Sequence, residues 1–554
     1  MHRPQVFVKK SKKGNVVRVL KEHYLRDDIS CCSALCTKCK PSDVQLSKSG
    51  LTIASLFENQ PHYLLPDTNV FLHQIDVLEH PLVRDVIVLQ TVLDEVRHRS
   101  PSLYSRARAI IGDSARRFVV LANEHHSGMF VERKESELPN DRNDRAIRQA
   151  GIFLRDHLAS AGMSVVLLSD DRGNRELAVE SGLLCASVRK YIESVSDAPD
   201  LHDRIAAAAS AASADKENVL SNPYDEHMET SSASSGVAAR TLVQGSFHRS
   251  TLNLNEASLW VKGNAEPVLI VGTRAMNRAV QDDQVVVKVL PRAQWRAPSQ
   301  FYSSKTTSAS ADASDPASEP GDANAEGVVP TGVVVAILNR RPRVFCGSLA
   351  EVPRGAAKAK DPIWATFVPL DERMPRIRFL TRQAAALEGQ RIVVAIDAWP
   401  AGAVCPVGHL VNRLGRIGEV ETETRVVLLE KDIPHAPFTP AVLACLPGEG
   451  WIADKDPDIH NTTRRDLRHL DVCSVDPPGC TDIDDALHAV MLDNGNMQLG
   501  VHIADVTYFV KPLSAVDKEA AHRGTSTYLV DRRIDMLPPL LGTSATAKIW
   551  FEPC

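Results

Sequence analysis

The stretch from Ser474 to His488, S-V-D-P-P-G-C-T-D-I-D-D-A-L-H, places four carboxylates, Asp476, Asp482, Asp484 and Asp485, within ten residues. A Pro-Pro-Gly turn at 477–479 separates the first from the rest. Proline fixes φ and glycine accepts positive φ, so the backbone turns there and can bring Asp476 back to the other three. Anions packed this closely repel one another unless a cation sits among them, and hard oxygen ligands suit Mg²⁺ or Mn²⁺. The plainer alternative is a solvated acidic loop. Apolar runs at Ala486–Met491 and Leu499–Phe509 argue instead for a cluster bedded in a core.

A second acidic set lies nearer the N-terminus. Tyr63–Pro66 leads into Asp67-Thr68-Asn69, Val86–Val92 leads into Asp94-Glu95 at the start of a helix, Asp144 opens a helical pattern over 145–159, and Val165–Leu168 runs into Ser169-Asp170-Asp171. Short apolar runs alternating with helical patterns from Leu51 to about Ser194 predict an α/β domain with a parallel sheet, whose sites form where strands end. Four carboxylates converging there must bind cations, or some must stay protonated. Taken singly, each acid could instead be a helix N-cap, Asp144 above all. A third constellation is Cys31, Cys36 and Cys39, spaced C-x₄-C-x₂-C, which suits one zinc ion lacking a fourth ligand. Cys32 is a neighbouring candidate, though side chains of adjacent residues usually diverge, and reduced, unligated thiols are the plainer reading.

The totals set bounds on what carries these sites. A chain of 554 residues is too long for one core, so several domains are expected. Lys plus Arg total 64 against 69 Asp plus Glu, so any surface for a polyanion must be local. Eleven cysteines in this length exclude a disulfide scaffold. No apolar run is long enough to span a membrane, and no signal-peptide core opens the chain, which points to a cytosolic or nuclear protein. Val6–Leu20 reads as a hairpin about Gly14-Asn15. Residues 201–237 read as a flexible linker with a helix over 204–214, and 303–327 as a disordered Ser/Ala/Asp-rich insertion. Short alternating strands over 238–348 and 349–430 predict two consecutive small barrels, followed by a link at 431–465. Phe247, Arg249, Arg376, Arg378 and Phe379 could stack bases and contact phosphates there, or the aromatics could fill the barrel cores.

The motif D-P-P-G-C-x-D-I-D-D-A-L-H, followed by G-V-H-I-A-D-V-T-Y-F-V (500–510) and R-G-T-S-T-Y-L (523–529), resembles the ribonuclease II / ribonuclease R superfamily, and within it the catalytic subunits of the eukaryotic RNA exosome. That resemblance implies a metal-dependent, hydrolytic 3′→5′ exoribonuclease in which Asp476, Asp482, Asp484 and Asp485 hold the metals and Tyr528 stacks on a base. The motifs L-P-D-T-N-V, T-V-L-D-E-V-R, N-D-R-N-D-R-A-I and S-D-D-R-G-N resemble a PIN endoribonuclease domain over 51–200. Its acidic tetrad matches Asp67, Glu95, Asp144 and Asp171, with Asp170 an open alternative for the fourth place. The cysteine block within 1–50 is similar to the one preceding the nuclease domain in that family, which implies Zn²⁺ held by Cys31, Cys36, Cys39 and His157. The paired barrels are similar to cold-shock OB domains.

The implied architecture is thus multidomain α/β plus β: a PIN-type α/β domain with a parallel sheet, two OB/cold-shock β-barrels, and the N-terminal part of an RNB catalytic domain at 466–554. Single-stranded RNA with 3′ ends, exosome ring subunits and residence in the nucleus or nucleolus, with a cytoplasmic share, are implied alongside, and no membrane. After Thr543 the sequence S-A-T-A-K-I-W-F-E-P-C departs from the family pattern. The expectation is therefore an incomplete exonuclease domain, inactive, with apolar segments such as Met536–Leu541 exposed. A non-catalytic RNA-binding or tethering subunit is the competing functional reading.

Overall fold

The computed structural model describes residues 2–10, 16–40, 45–52, 54–195, 198–208, 215–261, 266–299, 327–340, 344–350, 362–448, 451, 455–456, 465, 467–478 and 485–541. The chain divides into two compact units, residues 1–423 and 424–554. Among the described residues no helix is long and apolar enough to cross a membrane.

The first unit opens with the expected hairpin: β1 (His2–Lys10) pairs antiparallel with β2 (Val16–Tyr24), Val6 opposite Leu20. Five parallel strands follow: β3 (His62–Pro66), β4 (Val86–Leu89), β5 (Phe118–Leu121), β6 (Ser164–Leu168) and β7 (Leu184–Ala186). Their order is β5-β4-β3-β6-β7. β4 and β6 are near-continuous Val/Leu/Ile runs, and with β3 (H-Y-L-L-P) they are almost wholly buried, as a parallel sheet covered on both faces requires. The chain builds outwards from β3 to β5, then returns to lay β6 on the other side of β3, with His62 opposite Ser164 and Pro66 opposite Leu168. Loops leaving neighbouring strands at such a reversal diverge and leave a crevice at the carboxyl ends. Asp67 and Asp171 sit on its two sides.

Two helix starts differ from expectation. The helix after β4 begins at Gln90, so Asp94 and Glu95 lie in its second turn rather than at its mouth. The long helix spans Pro139–Leu158, with Pro139 at its first position, and Asp144 lies inside it. Proline is preorganised for that position, so the helix starts five residues before Asp144 and leaves it no backbone to cap.

Two β-structures follow. β8 (Val243–Arg249), β9 (Glu256–Trp260), β10 (Val268–Val271), β11 (Gln284–Val289) and β12 (Gly332–Asn339) form a sheet ordered β10-β9-β8-β11-β12. A parallel bridge from Leu269 to Thr331 links its two edges around Phe247, Leu259, Ile270 and Val285. A closed barrel follows, ordered β13-β14-β15-β17-β16, from β13 (Val344–Leu349), β14 (Ile363–Pro369), β15 (Ile377–Thr381), β16 (Gln390–Ala398) and β17 (Val407–Arg416). The expected boundary at 348 is corrected: Val344–Leu349 pairs with β14 and β16 and so belongs to the second barrel.

The linker expectation fails in its described part. Asp215 forms an ion pair with Arg378 at 2.6 Å, Asn218 exchanges hydrogen bonds with Cys405, and Thr230–Ala238 is a helix packed through Ala233 on Val286 and Ala336. Residues 204–208 are not helical, and 209–214 fall outside the described residues, as does nearly all of the 303–327 insertion.

The second unit is smaller. β18 (Asp485–Met491) and β19 (Met497–Ile503) form a hairpin, and β20 (Thr527–Tyr528) pairs with β21 (Arg533–Ile534). Its core gathers Val442, Val516 and Leu541 with Phe438, Phe509 and Leu537. The expected exposure of Met536–Leu541 is therefore corrected, because Leu537 and Leu541 find partners there. Exposed apolar groups lie instead at Val475, Leu513 and Val530 and along the hairpin, where Leu499 is 73% exposed and Val501 64%. A two-stranded hairpin has nothing to cover its second face, so the expected core bed for the acidic motif is not formed by these runs.

One buried ion network ties the α/β domain to the closed barrel. His409 on β17 approaches Asp397 at 2.8 Å through Nδ1 and Asp76 at 3.2 Å through Nε2, while Arg106 donates to Asp76 at 2.7 Å and to Glu79. Burial alone would depress the imidazole, but the flanking carboxylates overcome it and hold His409 at about 9. A folded value above the ordinary 6.5 means this contribution is complete below pH 6.5 and lost as pH rises through about 9. Replacing His409 by Gln should therefore destabilise the chain by about 3 kcal/mol at pH 6. Denaturant titrations of parent and variant should converge above pH 9, and a gap that stays constant with pH would contradict this.

Candidate functional site

The crevice at the ends of β3 and β6 gathers the N-terminal acids. Asp67 follows β3 and caps the helix Thr68–His73, its Oδ1 accepting the Val70 N–H at 2.9 Å. The residue is 1% exposed, and its other oxygen, Oδ2, is buried without any hydrogen-bond partner. Glu95 is clamped from two sides: its Oε2 accepts the Thr68 hydroxyl and the Asn143 amide, each at 3.0 Å. Arg99 lies 3.3 Å from its Oε1. Asp171 caps the helix Arg172–Glu180 by accepting the Asn174 N–H at 3.1 Å.

Asp144 is the acid at which the charges of the other three are felt. Burial pushes its carboxyl up to about 6, and the charges of Asp67, Asp171 and Glu95 add to that shift. Asp67 is also pushed to about 6, by burial first, with the Asp170 charge adding and the Ser169 hydroxyl and Val70 N–H opposing. The four expected acids are therefore within electrostatic reach of one another at Asp144. Asp170, the alternative fourth member, is occupied elsewhere: its Oδ1 accepts from Val188 N–H at 3.0 Å and its Oδ2 from Gln74 at 3.2 Å. The N-cap alternative holds for Asp67 and Asp171 and fails for Asp144. Capping uses only Oδ1 in each case, so the second oxygen remains for a ligand. A buried carboxylate oxygen with no donor is costly unless a cation meets it, and the site fits a hard divalent ion.

The cysteine block forms a second centre. The ligand atoms of Cys31, Cys36, Cys39 and His157 all lie within 4.8 Å of one another. His157 Nε2 is 3.1 Å from Cys36 Sγ and 3.3 Å from Cys39 Sγ. Cys32 takes positive φ (59°) and points its thiol at the Ser30 carbonyl, so it stands outside the group. Burial, with Lys38 and His126 nearby, holds the His157 ring below its ordinary value and therefore neutral, the form that ligates. Phe153 stacks on that ring at 5.3 Å and fixes its plane. Three sulfurs and one imidazole this close together make a four-ligand set of the kind that binds a structural metal.

The C-terminal acids are described only in part. Asp476 has a buried, unpartnered Oδ2, Asp485 is exposed at the start of β18, and Asp482 and Asp484 lie outside the described residues. Tyr528 on β20 is 74% exposed, with the Arg533 guanidinium 6.0 Å from its ring.

Most of the barrel candidates are corrected. Phe247 and Phe379 are fully buried and fill the two barrel cores, so neither can stack on a base. Arg249 donates to the Leu254 and Arg373 carbonyls, and Arg378 is spent on Asp215, Glu217 and Thr366. Arg376 alone of these is exposed. Trp260, which the sequence reading passed over, is 55% exposed on β9. Its signal was available: in E-A-S-L-W, Ala257 and Leu259 face inwards, so Trp260 must face out.

Four family models match: "PIN domain" over residues 64–189, "Rrp44-like cold shock domain" over 222–347, "Dis3-like cold-shock domain 2" over 364–432 and "RNB domain" over 464–548. The expected fold class is thereby borne out. The mouse (Mus musculus) exosome complex exonuclease RRP44 is 44% identical over 560 residues, covering 98% of this chain and 57% of that relative. The exosome complex exonuclease dis3 of Schizosaccharomyces pombe is 42% identical, covering 98% and 58%. RRP44 homolog A of Arabidopsis thaliana is 40% identical, covering 97% and 58%. The chain thus spans less than three fifths of the length of these relatives.

The cysteine centre makes a direct prediction. Cys36→Ser should lose one tightly bound metal per chain by elemental analysis and lower the melting temperature of the α/β domain. Equal metal content in variant and parent would remove the centre from the account.

Proposed function

The chain belongs to the family of the exosome exonucleases RRP44 and dis3, and from that premise we propose that it is a metal-dependent ribonuclease whose N-terminal PIN site cuts RNA internally. The observation that carries this is the common locus of Asp67, Glu95, Asp144 and Asp171, with a buried Asp67 oxygen awaiting a cation. Asp67, Asp144 and Asp171 would hold Mg²⁺ or Mn²⁺ together with Glu95. A divalent ion there supplies an activated water and charge stabilisation at the leaving 3′ oxygen. Thr68 and Asn143 hold Glu95 in one orientation, while the Val70 N–H holds Asp67. Asp171 is the better fourth member, because the Asp170 oxygens are taken by Gln74 and Val188.

The second nuclease site would use Asp476, Asp482, Asp484 and Asp485, with Tyr528 stacking on the RNA, for 3′→5′ hydrolysis of single strands. Its support is the matched RNB domain together with the unpartnered oxygen of Asp476. Zn²⁺ is the ion that suits Cys31, Cys36, Cys39 and His157, in a structural role. Arg376 and Trp260 are the barrel residues best placed to contact RNA, one for phosphate and one for a base. Ring subunits of an exosome would be the protein partners, and the nucleus and nucleolus, with a cytoplasmic share, the place of action.

A circular single-stranded RNA has no end, so its linearisation in Mn²⁺ reads endonuclease activity alone. The chain should linearise the circle, and Asp144→Asn should slow it at least about 100-fold. Equal rates would sink the endonuclease reading, and absence of cleavage with any divalent ion would leave a tethering role. Because Asp67 and Asp144 sit near 6, protons should compete with the metal below that value. Apparent Mn²⁺ affinity should rise between pH 5 and 7 in a pH-resolved titration, and a flat profile would contradict the assignment.

A further inference from the structure

The four acids of the PIN site carry up to four negative charges, and the substrate brings one more that grows as the pentavalent phosphate forms. Divalent ions answer part of that charge. Among the described residues two guanidiniums stand by these acids: Arg99, 3.3 Å from Glu95 Oε1, and Arg148. Arg148 follows Asp144 by four residues on the helix Pro139–Leu158, so both share one helix face. Its charge is the opposing one felt by Asp144, and it acts on Asp171 as well.

Arg148 is not consumed by those carboxylates. Among the described residues its one hydrogen bond runs from Nη1 to Asn174 Oδ1, at 2.5 Å, and no acid pairs with it. Asn174 is 4% exposed, and its backbone N–H is the one that Asp171 accepts in capping its helix. Its own amide nitrogen, Nδ2, is buried with no partner. Asn174 therefore spends its acceptor on the guanidinium at the cost of leaving its donor unmatched. An arrangement that leaves a buried donor orphaned in order to aim an arginine is poor for stability and useful for a ligand. A guanidinium has five donors in a planar fork, and four remain here for an oxyanion.

We propose that Arg148, held by Asn174, binds a non-bridging oxygen of the scissile RNA phosphate and stabilises the charge that develops on it during endonucleolytic cleavage. Arg148 is the substrate-contacting group and Asn174 a positioning residue. The assignment rests on the PIN site being an endonuclease, and deepens that reading by naming the group that recognises the phosphate. A phosphodiester is the fitting ligand, because its two non-bridging oxygens match the guanidinium fork.

The test uses the full chain, circular single-stranded RNA and Mn²⁺. Arg148→Ala should lower kcat for linearisation about 100-fold while leaving Mn²⁺ affinity, read by electron paramagnetic resonance, within twofold of the parent. Added ethylguanidinium should restore part of the lost rate to Arg148→Ala and none to Asp144→Asn. Arg148→Lys, which keeps the charge but not the fork and is the milder change should the alanine variant not fold, should lose about tenfold. Asn174→Ala should raise KM and lower kcat by less than Arg148→Ala does. A parent-like rate in Arg148→Ala, or a loss that tracks lost Mn²⁺ binding without chemical rescue, overturns the assignment. If the parent cuts and Asp144→Asn does not, that failure touches Arg148 alone. If the parent leaves the circle intact, the endonuclease reading falls and this assignment falls with it.

Discussion

Like charges held together at one end of a parallel sheet are the constraint on which the N-terminal half of this chain depends. Asp67 is almost wholly enclosed, with one oxygen satisfied by its own helix and the other facing no donor. Asp144 sits where the charges of Asp67, Glu95 and Asp171 sum. Such a cluster costs stability wherever it occurs without a cation, and a purely structural role would be served better by neutral side chains. The sheet makes the arrangement unavoidable: β6 is laid beside β3, so the residues leaving both strands enter the same crevice.

The long helix Pro139–Leu158 joins this crevice to the cysteine centre. Asp144 lies in its second turn and His157 in its last, about 20 Å apart along the axis. Ile147, Ala150 and Leu154, all buried, bind the same helix into the core. A metal gripping His157 would pin one end of the element that presents Asp144, and Asn143 pins the other by donating to Glu95. The stability of the cysteine block and the geometry of the acids are thus coupled through one rigid element.

Legibility followed the range of the interaction. Strand ends were readable because an apolar run followed by an acid is a local pattern, and Asp67 and Asp171 were found that way. The signal for the start of the long helix is also local, in Leu138-Pro139, because proline suits the first helical position and the capping tendency of Asp144 points to a later start. The choice between Asp170 and Asp171 turns on Gln74 and Val188, tertiary partners that no neighbouring residue announces. His409 and Asp76 are 333 residues apart, so nothing near either one signals their meeting. Basic-aromatic pairs in the barrels misled because a small barrel must fill its own core first, and Phe247 and Phe379 do that. The membership of β13 in the second barrel is not legible locally, because a crossing from one barrel to the next carries no pattern of its own.

The most direct measurement is diffraction from crystals of the chain grown with Mn²⁺, collected at the manganese absorption edge. The account predicts an anomalous peak in the crevice between β3 and β6, at about 2.0 to 2.3 Å from Asp67 Oδ2, with Asp144 and Asp171 oxygens in the same coordination sphere. A crevice without manganese at millimolar concentration, with Asp67 Oδ2 still facing no partner, would contradict it.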